Sequence, residues 1–170
     1  MLQIIFPFDM QVLSLAVMTS YLQSPIGLLE LKANDKALLE INFLDSDIAL
    51  KSESGNEITA SAKQQLQDYF EGKRTEFSVP IEPNGSQFEQ SVWEHLQQIP
   101  YGQTVTYGEL AKQLGDINKV RAVGKANGQN PVPIIIPCHR VIGSNNNLVG
   151  YSGGIERKKF LLKHEGALLL

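Results

Sequence analysis

The amino-acid sequence predicts an α/β chain of the α+β kind: a small antiparallel sheet with one helix, then a mostly helical second half containing a helix-turn-helix. Three observations lead there. Strand-like runs divided by turn signals fill the stretch from Met18 to Leu44. From Ile58 onward, apolar residues recur at helical spacing. Pro83-Asn84-Gly85 is the best linker, dividing 1–84 from 85–170. A chain of 170 residues makes one compact domain, or two small ones sharing a core, and needs neither disulfide nor metal to hold together.

The elements can be justified in order. Residues 1–17 are apolar but interrupted by Gln3, Pro7, Asp9 and Gln11, and no Lys or Arg precedes Lys32. They lack the basic start of a secretory signal and read as a strand or an unstructured lead-in, with Met18 a candidate true initiator. No run is long and apolar enough to span a membrane, so the cytoplasm is the default location. Met18–Gln23 and Gly27–Ala33 are strands joined by the turn Ser24-Pro25-Ile26-Gly27, and Ala37–Leu44 completes a meander. Ile58, Ala62, Leu66, Tyr69 and Phe70 define a helix over roughly 57–71 that stops at Gly72. Phe77–Ile81 reads as one more short strand.

In the second half Phe88, Val92, Leu96 and Ile99 line a helix face flanked by Trp93, and Pro100-Tyr101-Gly102 breaks the helix. Thr106 and Glu109 form a capping box. Tyr107, Leu110, Ala111 and Leu114 follow at helical spacing, and after the turn Gly115-Asp116 a further helix runs from about Asn118 to Asn127. Helix, short turn, helix over 106–128 is a candidate helix-turn-helix.

Charge divides the chain. Residues 1–84 carry 6 Lys/Arg against 12 Asp/Glu, whereas residues 85–170 carry 9 against 6. The second half is therefore the part suited to a polyanion. Arg121, Gly124, Lys125 and Gly128 share one side of the second helix, and two cations beside two positions without side chains could lie close to a phosphate backbone. An ordinary solvated face is the alternative.

The chemical centre is Asn130-Pro131-Val132-Pro133-Ile134-Ile135-Ile136-Pro137-Cys138-His139-Arg140-Val141. The short apolar run Ile134–Ile136 delivers the chain's one cysteine, Cys138, to a neighbouring imidazole and cation. His139 and Arg140 would lower the thiol pKa and so activate it. Adjacent residues on an extended strand face opposite ways, so contact between Cys138 and His139 needs a bend or a bridging water. A third group should orient the imidazole, and Glu165 is the best candidate. A small buried apolar cysteine is the plain alternative.

Pro137-Cys138-His139-Arg140-Val141 resembles the active-site motif of the O6-alkylguanine-DNA alkyltransferases, the methylated-DNA–protein-cysteine methyltransferases. Ile99-Pro100-Tyr101-Gly102, Thr106-Tyr107-Gly108, Arg121-Ala122-Val123-Gly124, Asn130-Pro131, Ile142-Gly143, Gly150-Tyr151-Ser152-Gly153-Gly154 and His164-Glu165-Gly166 are similar to that family in order and spacing. The likeness is strong over 86–166 and one of pattern only over 18–81, where the family has a ribonuclease-H-like domain. Residues 1–17 have no counterpart.

The resemblance implies that Cys138 accepts the alkyl group from guanine O6, that His139 takes its proton through a water, and that Glu165 fixes His139. Asn130 would brace the cysteine loop. Tyr107 would press on the 3′ phosphate of the displaced nucleotide and donate a proton to the departing guanine. Arg121 would enter the base stack, Tyr151 and Ser152 would hold the flipped base, and the Val141 carbonyl would meet its exocyclic amine. Gly124, Lys125 and Gly128 belong to the DNA face of a winged-helix-like module that lies in the minor groove. The partner is double-stranded DNA containing O6-alkylguanine, the protein a monomer for which cooperative binding along DNA is compatible, and no cofactor is used. Some relatives hold zinc through Cys and His in the first domain. This chain has no second cysteine and no histidine before His95, so no metal is expected. A related class of damage binders has tryptophan at the acceptor position, where this chain has Cys138.

The chemistry agrees. The target atom is hidden in a stacked duplex, so the base must be extruded. Transfer to sulfur leaves a thioether that nothing in such a site reverses, making a one-shot reagent. Rivals are a Cys-His-Glu hydrolase, which would turn over, a damage sensor or regulatory DNA-binding module that leaves Cys138 unmodified, and a thiol redox sensor, which lacks a resolving cysteine.

Overall fold

A computed structural model describes residues 16–44 and 52–167. The expectations for the lead-in 1–17 fall almost wholly outside these residues. Strands β1 (Met18–Ser24), β2 (Gly27–Ala33) and β3 (Leu38–Leu44) form an antiparallel meander with β2 central. Leu31 stands opposite Ser20 on one side and Ile41 on the other. Leu29, Leu31 and Ala33 are fully buried and alternate with Glu30 and Lys32, the period-two pattern of a sheet with one covered face. The cover is α1 (Glu57–Phe70), which packs Ala62, Leu66 and Tyr69 inward. An Asn56–Thr59 capping box starts it, and Gly72, at φ 72°, ends it.

Phe77–Ile81 does not form the expected strand. It makes a single parallel bridge, Ile81 to Leu38, with Leu38 N–H donating to Pro80 O and Glu82 N–H to Leu38 O. The proline at position 80 supplies no N–H to extend such a ladder.

Helix α2 (Gln87–Gln97) buries Val92, Trp93 and Leu96, while Ile99 lies just past its end and is still buried. Next come the two-residue strand β4 (Val105–Thr106), α3 (Tyr107–Gln113), a 3-10 turn at Ile117–Lys119 and α4 (Val120–Gly128). The Thr106–Glu109 capping box is present, as the sequence predicts. Trp93 Nε1 donates to Ala126 O at 2.9 Å and pins α2 to α4. Strand β5 (Val141–Ile142) pairs in parallel with β4, and α5 (Ile155–His164) closes the described chain. One continuous apolar core runs from Leu22 to Leu161, through both halves. No helix among the described residues is long and apolar enough to cross a membrane.

Candidate active site

Ile134–Ile136 is not a strand. Ile134 adopts φ 77°, Pro133 bridges to Ile136, and the Ile136 amide donates to Val132 O. The three prolines at 131, 133 and 137 leave too few amides for a ladder. A compact loop results, braced by Asn130: Nδ2 donates to Ile136 O at 2.8 Å, and Oδ1 accepts from Val132 N–H at 3.0 Å. Cys138, His139 and Arg140 then form a 3-10 turn rather than an extended segment, which supplies the bend that the adjacent pair requires.

His139 is fully buried and its Nε2 lies 2.7 Å from Glu165 Oε1. A carboxylate has no proton to give, so Nε2 carries the hydrogen and Nδ1 is the basic nitrogen. Nδ1 is buried and has no hydrogen-bond partner among the described residues. Burial pushes the imidazole pKa down, against the pull of Glu165, so the ring is neutral at rest.

Glu165 is held from several sides. Arg140 Nε donates to Oε2 at 2.8 Å and Nη2 to Oε1 at 3.1 Å, while Arg140 Nη1 reaches Ile99 O at 2.6 Å. The Tyr69 hydroxyl, on α1, donates to Oε1 at 2.7 Å, and Gly102 N–H to Oε2 at 3.3 Å. Burial alone would raise the carboxyl pKa; the His139 and Arg140 hydrogen bonds overcome it and hold the group at about 2. Gly102 has φ 75°, and a Cβ there would stand 2.9 Å from the Glu165 carbonyl oxygen, so the site requires glycine at this crossing.

The thiol differs from expectation. Cys138 is 1% exposed, and burial pushes its pKa up to about 11. The opposing pull comes from the Asn130 amide, Lys158 and nearby backbone N–H groups. Arg140 is committed to Glu165, and the His139 ring is neutral, so neither supplies the cation that sequence reasoning gave them. The sulfur is therefore protonated at rest, and its proton must leave as the reaction proceeds.

Lys158 is the cation that sequence reasoning missed. It is fully buried on α5, and its Nζ donates to Val141 O at 2.6 Å and Val149 O at 2.9 Å, with Gly150 O at 3.5 Å. Burial lowers its pKa to about 8, while the Cys138 thiolate would raise it. Its signal was phase: Lys158 lies three and four residues before the buried Leu161 and Leu162, on the inward stripe of α5. Tyr69 and Asn127 were also missed.

Tyr107 opens α3, and its hydroxyl lies 3.2 Å from Gly150 O, with Lys158 Nζ 5.9 Å from the ring centroid. Tyr151 packs on Phe43 of β3, ring centroids 6.1 Å apart, and its hydroxyl is buried without a hydrogen-bond partner among the described residues. Ser152 is exposed and faces a depression of about 280 Å³ beside Asn130 and Pro131, without a hydrogen bond to the cysteine turn. The Val141 carbonyl already accepts from Lys158, which leaves one lone pair. On α4, Arg121, Lys125 and Gly128 are exposed. Gly124 is half-buried, where its Cβ would meet the Tyr107 ring at 3.8 Å, so it serves packing as well as surface. His95 and His164 stay structural, bonded to the carbonyls of Ser91 and Tyr69.

Comparison with known proteins places this arrangement. Residues 17–83 match the family model described as 6-O-methylguanine DNA methyltransferase, ribonuclease-like domain, and residues 87–167 match the DNA binding domain of the same family. A methylated-DNA–protein-cysteine methyltransferase of Methanosarcina acetivorans is 44% identical over 149 residues, covering 85% of this chain and 96% of the relative. One from Mycolicibacterium paratuberculosis is 46% identical over 145 residues, covering 84% and 88%. The crystal structure of Mycobacterium tuberculosis O6-methylguanine methyltransferase superposes with a TM-score of 0.80 at 42% identity, covering 89% of this chain and 94% of that one. A complex of the M. tuberculosis protein with DNA gives 0.77 at 44% identity, covering 86% and 92%.

Proposed function

The chain belongs to the 6-O-methylguanine DNA methyltransferase family, and from that premise we propose that it repairs O6-alkylguanine in duplex DNA by moving the alkyl group to Cys138 in one irreversible turnover. The observation that carries the reading is the order of groups: a buried thiol, an imidazole whose Nδ1 is unpartnered, and a carboxylate bonded to the opposite nitrogen.

In the transfer, the bond between the alkyl carbon and guanine O6 breaks as a carbon–sulfur bond forms. The Cys138 proton passes through a water to His139 Nδ1, and Glu165 stabilises the imidazolium. Lys158 supplies positive charge as the thiolate develops. Tyr107 gives its proton to the guanine, which leaves neutral. Asn130 keeps the cysteine turn in shape. Arg121 fills the space left in the stack, Lys125, Gly124 and Gly128 bring α4 against phosphates, and Tyr151, Ser152 and the Val141 carbonyl hold the flipped base. Extrusion costs a few kcal/mol, which an inserted side chain and phosphate contacts offset. The acceptor half corresponds to 85–170 and the supporting half to 1–84, and the reaction belongs in the cytoplasm, where DNA is reached and a thiol stays reduced.

The test mixes the protein with a duplex carrying O6-methylguanine and maps the modified peptide by mass. One methyl on Cys138 per protein, and none in Cys138→Ser, is the expected result. Continued turnover, or an unmodified Cys138, overturns the reading.

A further inference from the structure

We propose that Asn127 is a positioning residue for the transfer: one side-chain amide holds the Tyr107 hydroxyl oxygen and the Cys138 carbonyl together, directing the phenol's single proton away from the amide to the Val149–Gly150 backbone, from which it is passed to the base. The inference rests on the reading of Tyr107 as proton donor to the departing guanine.

Asn127 lies in the last turn of α4 and is 1% exposed. Its Nδ2 stands 3.4 Å from Cys138 O and 3.3 Å from the Tyr107 hydroxyl. A main-chain carbonyl can only accept, so the NH2 side of the amide must face Cys138. The same NH2 then faces the Tyr107 oxygen, and the phenol accepts there. A phenol has one proton, so it must be given elsewhere. The acceptors within reach are Gly150 O at 3.2 Å and Val149 O at 3.5 Å, directly before Tyr151. A flipped amide would draw the phenol proton to Oδ1 and set that oxygen against the Cys138 carbonyl.

A second observation points the same way. Asn127 Oδ1 is buried and has no hydrogen-bond partner among the described residues. An unpaired buried acceptor is unfavourable. The position keeps its amide against that penalty, which fits a role made by the NH2 side. Burial raises the Tyr107 pKa, as a Cys138 thiolate would once formed, and the Asn127 bond opposes them. The proton donor and the peptide unit of the nucleophile are thus held in one register by a residue that makes its bonds to the phenol and to a main-chain carbonyl, not to the sulfur.

The test is a double-mutant cycle on the rate constant for Cys138 alkylation by duplex O6-methylguanine. Asn127→Leu should slow transfer about tenfold when Tyr107 is intact, as expected for one hydrogen bond that matters most in the transition state. In the Tyr107→Phe background the same substitution should cost less than about twofold, because the group it acts through is gone. Affinity for undamaged duplex should not change. Equal slowing in both backgrounds overturns the proposal, since Asn127 would then act by packing alone. If Tyr107→Phe by itself leaves the rate unchanged, the proton-donor reading fails and this inference falls with it. Circular dichroism checks folding, and Asn127→Ser completes the cycle if the leucine variant does not fold.

Discussion

The two sides of His139 are built on opposite terms. Behind the ring, Glu165 is surrounded by donors from α1, from the turn after α2 and from the cysteine turn itself. In front of it, His139 Nδ1 is buried and has no hydrogen-bond partner among the described residues. The rear nitrogen is fixed by a densely paired carboxylate, while the front nitrogen keeps its basic lone pair, the asymmetry that a general base requires.

Substitutions can break that contrast in graded ways. The largest effect is expected from Glu165→Gln, which strips the buried Arg140 of its counter-charge. Leaving one partner of a buried ion pair alone costs about 3–5 kcal/mol. Transfer should slow by about a hundredfold or more, as an unoriented base would predict. Thermal unfolding and single-turnover alkylation measure the two losses separately.

Lys158→Met comes next. The carbonyls of Val141 and Val149 lose their shared donor, for a stability loss of about 2 kcal/mol. Without the neighbouring cation the thiol pKa rises further, and alkylation at neutral pH should fall about tenfold for each unit of that rise. Titration of the thiol by its ultraviolet absorbance follows the shift.

Acid sharpens the contrast without mutation. The Glu165 carboxyl sits at about 2 in the folded chain, below its ordinary 4.5, so its contribution is complete above about 4.5 and fades as the pH falls toward 2. His139, held below its ordinary 6.5, adds a loss of the same sign on descending through 6.5, because the unfolded ring gains a proton more readily. Denaturant midpoints should therefore fall steadily below pH 6.5. In Glu165→Gln the part of that slope below 4.5 should shrink to the share of Glu40, Glu53, Glu89 and Glu109, whose hydrogen bonds also hold their carboxyls below the ordinary value. Cys138 works in the other direction: its neutral thiol stabilises the fold below 9, and this is lost as the pH climbs through about 11.

The smallest effect belongs to Tyr69→Phe. It removes one donor from a carboxylate that has others, so about 1 kcal/mol of stability should go, and the rate should stay within about threefold. A loss as large as that of Glu165→Gln would show that the rear is not redundantly held.

What the sequence made legible was local or periodic. The meander, the Thr106–Glu109 box and the inward stripe of α1 all follow from spacing and turn chemistry within a few residues. The pairing of His139 with Glu165, 26 positions apart, came from reasoning about what a base needs and from family resemblance, since spacing carries no trace of it. Tyr69 was illegible because its ring reads as ordinary helix core, while its hydroxyl meets a residue 96 positions away. Lys158 hid inside Arg157-Lys158-Lys159, which looks like a solvated run until the helical phase is read. Arg140 was given the wrong task for a related reason: proximity in the chain to Cys138 did not predict that its guanidinium turns back to Glu165.

The short parallel pairing of Val105 with Val141 and Thr106 with Ile142 has a mechanical result. It bolts the entrance of the α3–α4 pair to the segment that leaves the sulfur, and the Asn127 amide fastens the other flank. With both flanks tethered, the nucleophile has no arm to extend. The journey in this reaction is made by the nucleotide, which must travel the whole way to a stationary anvil.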